Sequence, residues 1–352
     1  MHNNYTFDAG NCAVISAAEY LRHFPGRGRT IHLPHLNYAF HGISDCLCLG
    51  EEKQAVAPVH NGALPLVFSD AVPFIASEAQ LPGIIAAALA AMGTGQPLDE
   101  AVPLYPPGMG NFWHFTTESL PKVLALESAG YTGPYIVPKD VLARPDGFVA
   151  QSLALFNIGL ERMLPAGPVY RIKRLMLPQR LNGFDLSENM ALAGLLRERL
   201  LEAVGTEPGT RRVYIRRVGR RKIINEEALL ALLQEYDFTT LTPEDLTVKE
   251  QWRFMTNAEC SLMAHGANTT LTLLQKPHSG FIELFSNNYI SYTSMHAVRL
   301  LRLRYIPLVE ELDLSTYPGD RTPLADFLAR GYTADIRVHP PDLRILLETL
   351  IP

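Results

Sequence analysis

Four cysteines, Cys12, Cys46, Cys48 and Cys260, are too few in 352 residues for a disulfide scaffold, so a reducing compartment is expected. Cys46 and Cys48 flank a single leucine, closer than a zinc knuckle needs, and no Cys/His pair supplies the other ligands. Long apolar runs are missing too. The most apolar helical stretch, Leu81–Met92, is about twelve residues and well short of a membrane span. Met1–Gly10 is polar and has no basic segment leading into an apolar one, so no signal peptide is expected. The chain therefore reads as cytoplasmic and soluble, with peripheral membrane contact left open.

What is present fits a globular protein. Apolar residues make up 47% and charged residues 19% of the chain, unlike a disordered sequence. A length of 352 residues exceeds one compact core, so two domains are expected. The net charge of −5 gives no overall affinity for polyanions. The charge is uneven, however: Arg211 to Lys222 hold seven cations and no anion, so the other 340 residues carry −12. A local anion site in an acidic protein suits a small phosphate-bearing ligand better than a long nucleic acid.

The first hundred residues carry the weakest patterns. Thr30–Leu33, Cys46–Leu49 and Leu66–Phe68 read as short strands, and the Ala-rich Ile84–Met92 as a helix. Pro103–Gly110 is a loop. It leads into a helix with Asn111 as N-cap, which Pro121 should bend or restart. Tyr135–Val137 reads as a strand, Ala150–Leu160 as a helix and Val169–Leu177 as a strand. Beyond the connector Pro178–Asp185 comes an amphipathic helix, Glu188–Val204. Strands at Arg212–Arg216, Phe238–Leu241, Ser261–Ala264 and Gly280–Phe285 then alternate with helices at Asn225–Tyr236, Pro243–Thr256 and Asn268–Gln275. Such alternation predicts an α/β, doubly wound parallel sheet of the nucleotide-binding type.

In an open parallel sheet, ligands bind beyond the carboxyl ends of the strands. Three such ends carry polar residues: Arg216, Arg217 and Arg221 leading into Asn225; His265, Gly266, Ala267, Asn268 and Thr269; and Glu283. The Gly266 turn lets backbone amides approach an anion, and a helix starting near Asn268 adds its positive end. The arginines would clamp a diphosphate by charge-assisted hydrogen bonds, and Glu283 would accept hydrogen bonds from ribose or sugar hydroxyls. On the helix after the Gly-rich loop, His114 and Glu118 lie four apart and share a face. Either could take a proton from an acceptor hydroxyl, or the carboxylate could orient the imidazole. Glu311-Leu-Asp313, the nearest match to an Asp-x-Asp metal motif, lies past the last core strand, so no metal is expected.

Four C-terminal segments, Arg211–Glu226, Thr242–Gln251, Ala264–Leu271 and Phe281–Phe285, together with Gly110–Pro121, resemble glycosyltransferase family 61 in order and spacing. The resemblance spans roughly residues 105 to 310. It implies inverting transfer and a GT-B architecture of two Rossmann-like domains facing across a cleft. Carried over, Arg216, Arg217, Arg221, Asn225, His265, Gly266, Asn268 and Glu283 fall at donor-binding positions, with Ala267 and Thr269 in the same turn; His114 and Glu118 fall on the acceptor side. Many relatives read His-Gly-Ala-Gly-Leu-Thr-Asn, whereas Asn268-Thr269-Thr270 follow the alanine here. Asn tolerates a left-handed backbone, so the turn survives while its contacts to the donor differ.

The expected organisation is an acceptor-side domain over 1–175, a donor-binding domain over 176–310, and a tail over 311–352 able to pack back on the first domain. The expected activity is transfer of a sugar from a nucleotide-diphosphate donor, of the UDP type, to a hydroxyl of a glycan, glycolipid or protein in surface-polysaccharide or glycolipid synthesis. No cofactor or metal beyond this co-substrate is expected, and no nucleic-acid partner. The alternatives are a non-catalytic nucleotide- or glycan-binding relative and a nucleic-acid-binding module built on Arg211–Lys222.

Overall fold

Short connections dictate the pairing of the first strands. In the computed structural model, β2 (Gly28–Leu33) and β3 (Tyr38–Leu49) are joined by one 3₁₀ turn, Pro34–Leu36, closed by Asn37 in the left-handed region at φ 48°. A link this short can only return the chain antiparallel, and the two strands pair that way. The structure describes residues 14–49, 54–57, 66–68, 94–104, 109–166, 169–179, 186–209, 211–286, 289–310 and 334–351, with residues 86 and 90. The chain divides into two units, Met1–Asn182 and Gly183–Pro352.

Among the described residues the first unit holds a nine-stranded mixed sheet. Its other strands are β1 (Val14–Ile15), β4 (Gln54–Ala57), β5 (Leu66–Phe68), β6 (Gln96–Pro103), β7 (Tyr135–Pro138), β8 (Met163–Ala166) and β9 (Val169–Pro178). The order is β1-β5-β4-β3-β9-β6-β7-β8, with β2 on β3. From β9 to β8 the pairs are parallel, while β3 is antiparallel to β2, β4 and β9. The run of parallel pairs that a Rossmann-like first half would need is confined to the β6–β9 side; before residue 70 the pairs are antiparallel apart from β1 with β5. Ile43, Ile172, Leu175 and Leu177 form the core, against which α1 (Ala17–His23) packs Ala17, Tyr20 and Leu21.

The helix expected at Ala150–Leu160 is shorter, running Phe148–Ala154 (α3). Asn157 turns left-handed at φ 58° two residues past its C-cap and ends it. Ile84–Met92 is described only at residues 86 and 90, and Pro178–Asp185 only at its first two residues. Residues 311–313 lie outside the described residues.

The second unit is an all-parallel five-stranded sheet among the described residues. Its strands are β10 (Arg211–Ile215), β11 (Phe238–Leu241), β12 (Ala258–Ala264), β13 (Gly280–Phe285) and β14 (Arg304–Val309), in the order β11-β10-β12-β13-β14. The inner strands are apolar because helices cover both faces of a parallel sheet; every residue of β13 is buried. Helix α4 (Met190–Val204) starts where Asn189 Oδ1 accepts from the Leu192 N–H (3.1 Å) and stops at Gly205 (φ 72°). Helix α5 (Glu226–Gln234) follows β10. The helix expected over Pro243–Thr256 is split into a 3₁₀ turn and α6 (Val248–Met255), because Thr247 and Glu250 form a capping box that restarts it. Helix α7 (Met295–Leu301) precedes β14.

The end of the chain belongs to this second unit rather than to the first. Helix α8 (Pro340–Leu350) buries Leu343, Leu347 and Leu350, spaced four and three apart on one face, and leaves Ile345 exposed. Together with Ile336 and Val338 they join the core formed by Tyr214, Leu229, Leu262 and Ile282. Residues 334–351 of the segment expected as a tail over 311–352 thus contribute to the core of the second unit. No helix among the described residues is long and apolar enough to cross a membrane.

Candidate active site

The strand order of the second unit says where a ligand belongs. Counting from β10 it reads 2-1-3-4-5, so the connection reverses direction between β10 and β12. In doubly wound sheets the crevice beyond the carboxyl ends at such a switch point is where ligands bind. Arg216–Lys222 leaves β10 there, and His265–Gly266 leaves β12 beside it.

The basic loop is not a bare patch of charge. Arg211 pairs with Glu207 (3.8 Å), Arg212 with Glu259 (2.8 Å) and Arg216 with Glu226 (2.7 Å). Arg216 engages both oxygens of Glu226, and Tyr214 donates to the same carboxylate (2.8 Å). Arg217 instead turns toward β12. Its Nη1 donates to the His265 carbonyl (3.0 Å) and its Nε to the Arg220 carbonyl (2.6 Å). A Cβ on Gly266 would lie 1.6 Å from Arg217 Nη1, so the guanidinium rests on the bare Cα. That contact needs glycine. Arg221, left-handed at φ 60°, sets its guanidinium 5.8 Å from the centre of the Tyr289 ring.

Tyr289 also touches His265, with ring centres 5.4 Å apart, and Phe285 stacks on the imidazole at 4.9 Å and 20°. His265 Nδ1 lies 2.5 Å from Glu283 Oε1. Glu283 departs from expectation: it sits two residues inside β13, paired with Met263, and is fully buried. Its Oε2 accepts from Ser294 (2.7 Å) and Tyr305 (2.9 Å). Both oxygens are thus occupied by protein groups, and the expected role of accepting bonds from ligand hydroxyls does not fit.

The turn after His265 differs in detail as well. Ala267–Leu274 is a 3₁₀ helix rather than an α-helix, and Asn268 lies within it instead of turning left-handed. The hydroxyls of Thr269 and Thr270 donate back to the Gly266 and Ala267 carbonyls (2.8 and 2.7 Å), which tightens the turn. Thr269 is fully buried, so Ala267 and Asn268 are the half-buried residues at its start. Asn225 is also placed elsewhere. Its amide brackets Val338, donating to the carbonyl (2.7 Å) and accepting from the N–H (3.1 Å). That pairing ties residues 334–351 to the loop before α5.

In the first unit, Asn111 caps its helix as expected, accepting from the N–H groups of Trp113 (2.9 Å) and His114 (3.4 Å). The next turn is π-helical over Phe115–Ser119, where the Leu120 N–H reaches back to the Phe115 carbonyl, and α2 (Leu120–Ser128) then begins. Pro121 accounts for it: a proline ring collides with the carbonyl four residues earlier, and one extra residue in the turn moves that carbonyl aside. His114 and Glu118 face each other across the turn, Nδ1 to Oε1 at 3.0 Å. Glu118 is buried, while the His114 side chain keeps 37% of its exposure. Two buried hydroxyls of the turn, Thr116 Oγ1 and Ser119 Oγ, have no partner among the described residues.

A family model for Glycosyltransferase 61 matches residues 112–282. That region belongs to glycosyltransferase family 61. No curated protein matches the chain. The family 61 region contains His114, Glu118, the basic loop and the His265 turn, and the match supports a sugar-transferase domain. Glu283, Phe285, Tyr289, Ser294 and Tyr305 follow the family 61 match in the chain. The last four, with Glu226, were missed at the sequence level. Tyr289 and Ser294 sit in a connection with no periodic pattern, and only the fold brings Tyr305 of β14 beside Glu283.

Among the described residues, no three His, Cys, Asp or Glu side chains converge to hold a metal ion. Burial pushes the Cys260 thiol up to about 12, so it stays protonated and is no nucleophile.

Proposed function

We propose that the protein is an inverting glycosyltransferase that moves a sugar from a nucleotide-diphosphate donor, of the UDP type, to a hydroxyl on a glycan, glycolipid or protein. The observation that supports it is the meeting of Arg217, Gly266 and His265 at the β10/β12 switch point of a family 61 region. Arg217, Arg221 and His265 would face the diphosphate, with Ala267 and Asn268 at its edge; Arg216 would supply charge shared with Glu226. These cations would carry the leaving-group charge without a metal ion.

His114 is the base in this reading and Glu118 its orienting partner. Nδ1 faces the Glu118 carboxylate, which leaves Nε2 to take the acceptor proton. The freed oxygen attacks the anomeric carbon from the side opposite the diphosphate. The new glycosidic C–O bond forms as the old one breaks, and its electron pair leaves on the nucleoside diphosphate. The GT-B architecture is part of this proposal, since transfer requires residues of both units to act on one pair of substrates. A cytoplasmic role in surface-polysaccharide or glycolipid synthesis is the setting we favour.

The test is thermal unfolding of the full chain with UDP, GDP and CMP derivatives. A ligand at a hundred times its Kd stabilises by about 2.7 kcal/mol, a rise of several degrees. If no nucleotide raises the melting temperature at millimolar concentration, the donor-site reading fails.

A further inference from the structure

The His265 ring is held on three sides. Phe285 lies flat against one face, Tyr289 leans on it, and Glu283 sits 2.5 Å from Nδ1. A carboxylate can only accept here, so Nδ1 carries the proton and donates it. Glu283 in turn cannot swing away. Ser294 and Tyr305 donate to its other oxygen from two different elements, the N-cap of α7 and strand β14. Burial, with the Glu283 charge, raises the Tyr305 hydroxyl far above its usual range, which keeps it a protonated donor. The geometry of these hydrogen bonds is that of an orienting shell rather than of a ligand pocket.

We propose that Glu283, locked by Ser294 and Tyr305, is a positioning residue: it fixes the tautomer and the plane of His265, so that Nε2 is the one ring nitrogen left to meet the departing diphosphate. This rests on the donor-site reading above and adds Ser294 and Tyr305, two residues outside the family match, to the machinery of transfer. The shell is built into the fold. Tyr305 meets Glu283 because β13 and β14 pair in register, with Glu283 opposite Pro307 and Tyr305 opposite Phe281, while Ser294 reaches it from the cap of α7.

Histidine-labelled full chain tests this by ¹H–¹⁵N correlation spectra without ligand, with His265 assigned from its loss in His265→Asn. The expected spectrum has Nδ1 protonated and hydrogen-bonded. Ser294→Ala with Tyr305→Phe removes both locks while keeping the side-chain shapes close. That double variant should shift or broaden the His265 signals and weaken the stabilising nucleotide on the order of tenfold. Glu283→Gln, which can still accept from Nδ1, should hold the tautomer and keep more affinity than Glu283→Ala. An Nε2-protonated tautomer in the wild type, or unchanged spectra and affinity in the double variant, overturns the proposal. A wild type with the expected spectrum that binds no nucleotide overturns the donor-site reading instead and leaves the hold on His265 standing.

Discussion

Gly266→Ala puts the geometry of the donor site to a sharp test. The new methyl carbon would sit 1.6 Å from Arg217 Nη1, far inside contact distance, and the atom in its way is the tip of a flexible side chain. The guanidinium will therefore move. Gly266 also sits at φ 159° and ψ −166°, which alanine adopts only with strain, so the loss to folding is that strain, about 1–3 kcal/mol, added to the hydrogen bond to the His265 carbonyl, roughly 1.5–3 kcal/mol for a charged donor. The loss to binding should be of the same order, since the displaced cation is the one beside the turn, so Kd should rise roughly 10- to 100-fold. Calorimetric titration of the full chain with the stabilising nucleotide reads this directly. Arg217→Ala should weaken binding to a similar extent, and adding Gly266→Ala to it should cost less than about 0.5 kcal/mol further. If Gly266→Ala binds as wild type, or if the two losses simply add, Arg217 is not acting through this contact.

Four further perturbations separate the roles of individual residues. His114→Ala should lower kcat by roughly 10²- to 10⁴-fold and leave nucleotide affinity intact, and Glu118→Ala should lower kcat by less, both measured by steady-state kinetics. Asn225→Ala should lose roughly 1–3 kcal/mol of stability in urea unfolding, by leaving the Val338 backbone unpaired, with nucleotide affinity unchanged. A clear loss of affinity there would return Asn225 to the donor site. His296 is fully buried, and desolvation lowers its pKa from 6.5 to about 4. The unfolded chain then binds the extra proton between those values, so the contribution is complete above pH 6.5 and is lost as pH falls toward 4. Stability should drop by about 2 kcal/mol from pH 7.5 to pH 5 on this account, and His296→Leu should remove that part of the slope.

The second unit was legible because its physics is local. Each buried parallel strand is a short apolar run bounded by turn residues, and alternation with helices leaves few ways to connect them. The strand-end positions of Arg216, Arg217, Arg221 and His265 could be read on that basis. Which way each side chain turns could not. Arg216 is drawn to Glu226, ten residues on, and Asn225 to Val338, more than a hundred residues on; neither partner is marked by spacing. Glu283 was read as a strand-end ligand although its strand was read with the bounds observed, Gly280–Phe285; lying two residues inside that end is enough to bury a carboxylate. In the first unit, the short strands before residue 70 carry too little periodicity to reveal a mixed sheet. The Pro121 break was visible, but not that it would be resolved as a π turn joining His114 to Glu118.

The most direct test of sugar transfer is a mass-spectrometric screen of the full chain against common nucleotide sugars and hydroxyl acceptors, run beside His114→Ala. One donor should be consumed to its nucleoside diphosphate, with the product of opposite anomeric configuration, and His114→Ala should bind that donor without turning it over. A folded wild type that consumes none of the donors, or a His114→Ala variant as fast as wild type, would contradict it.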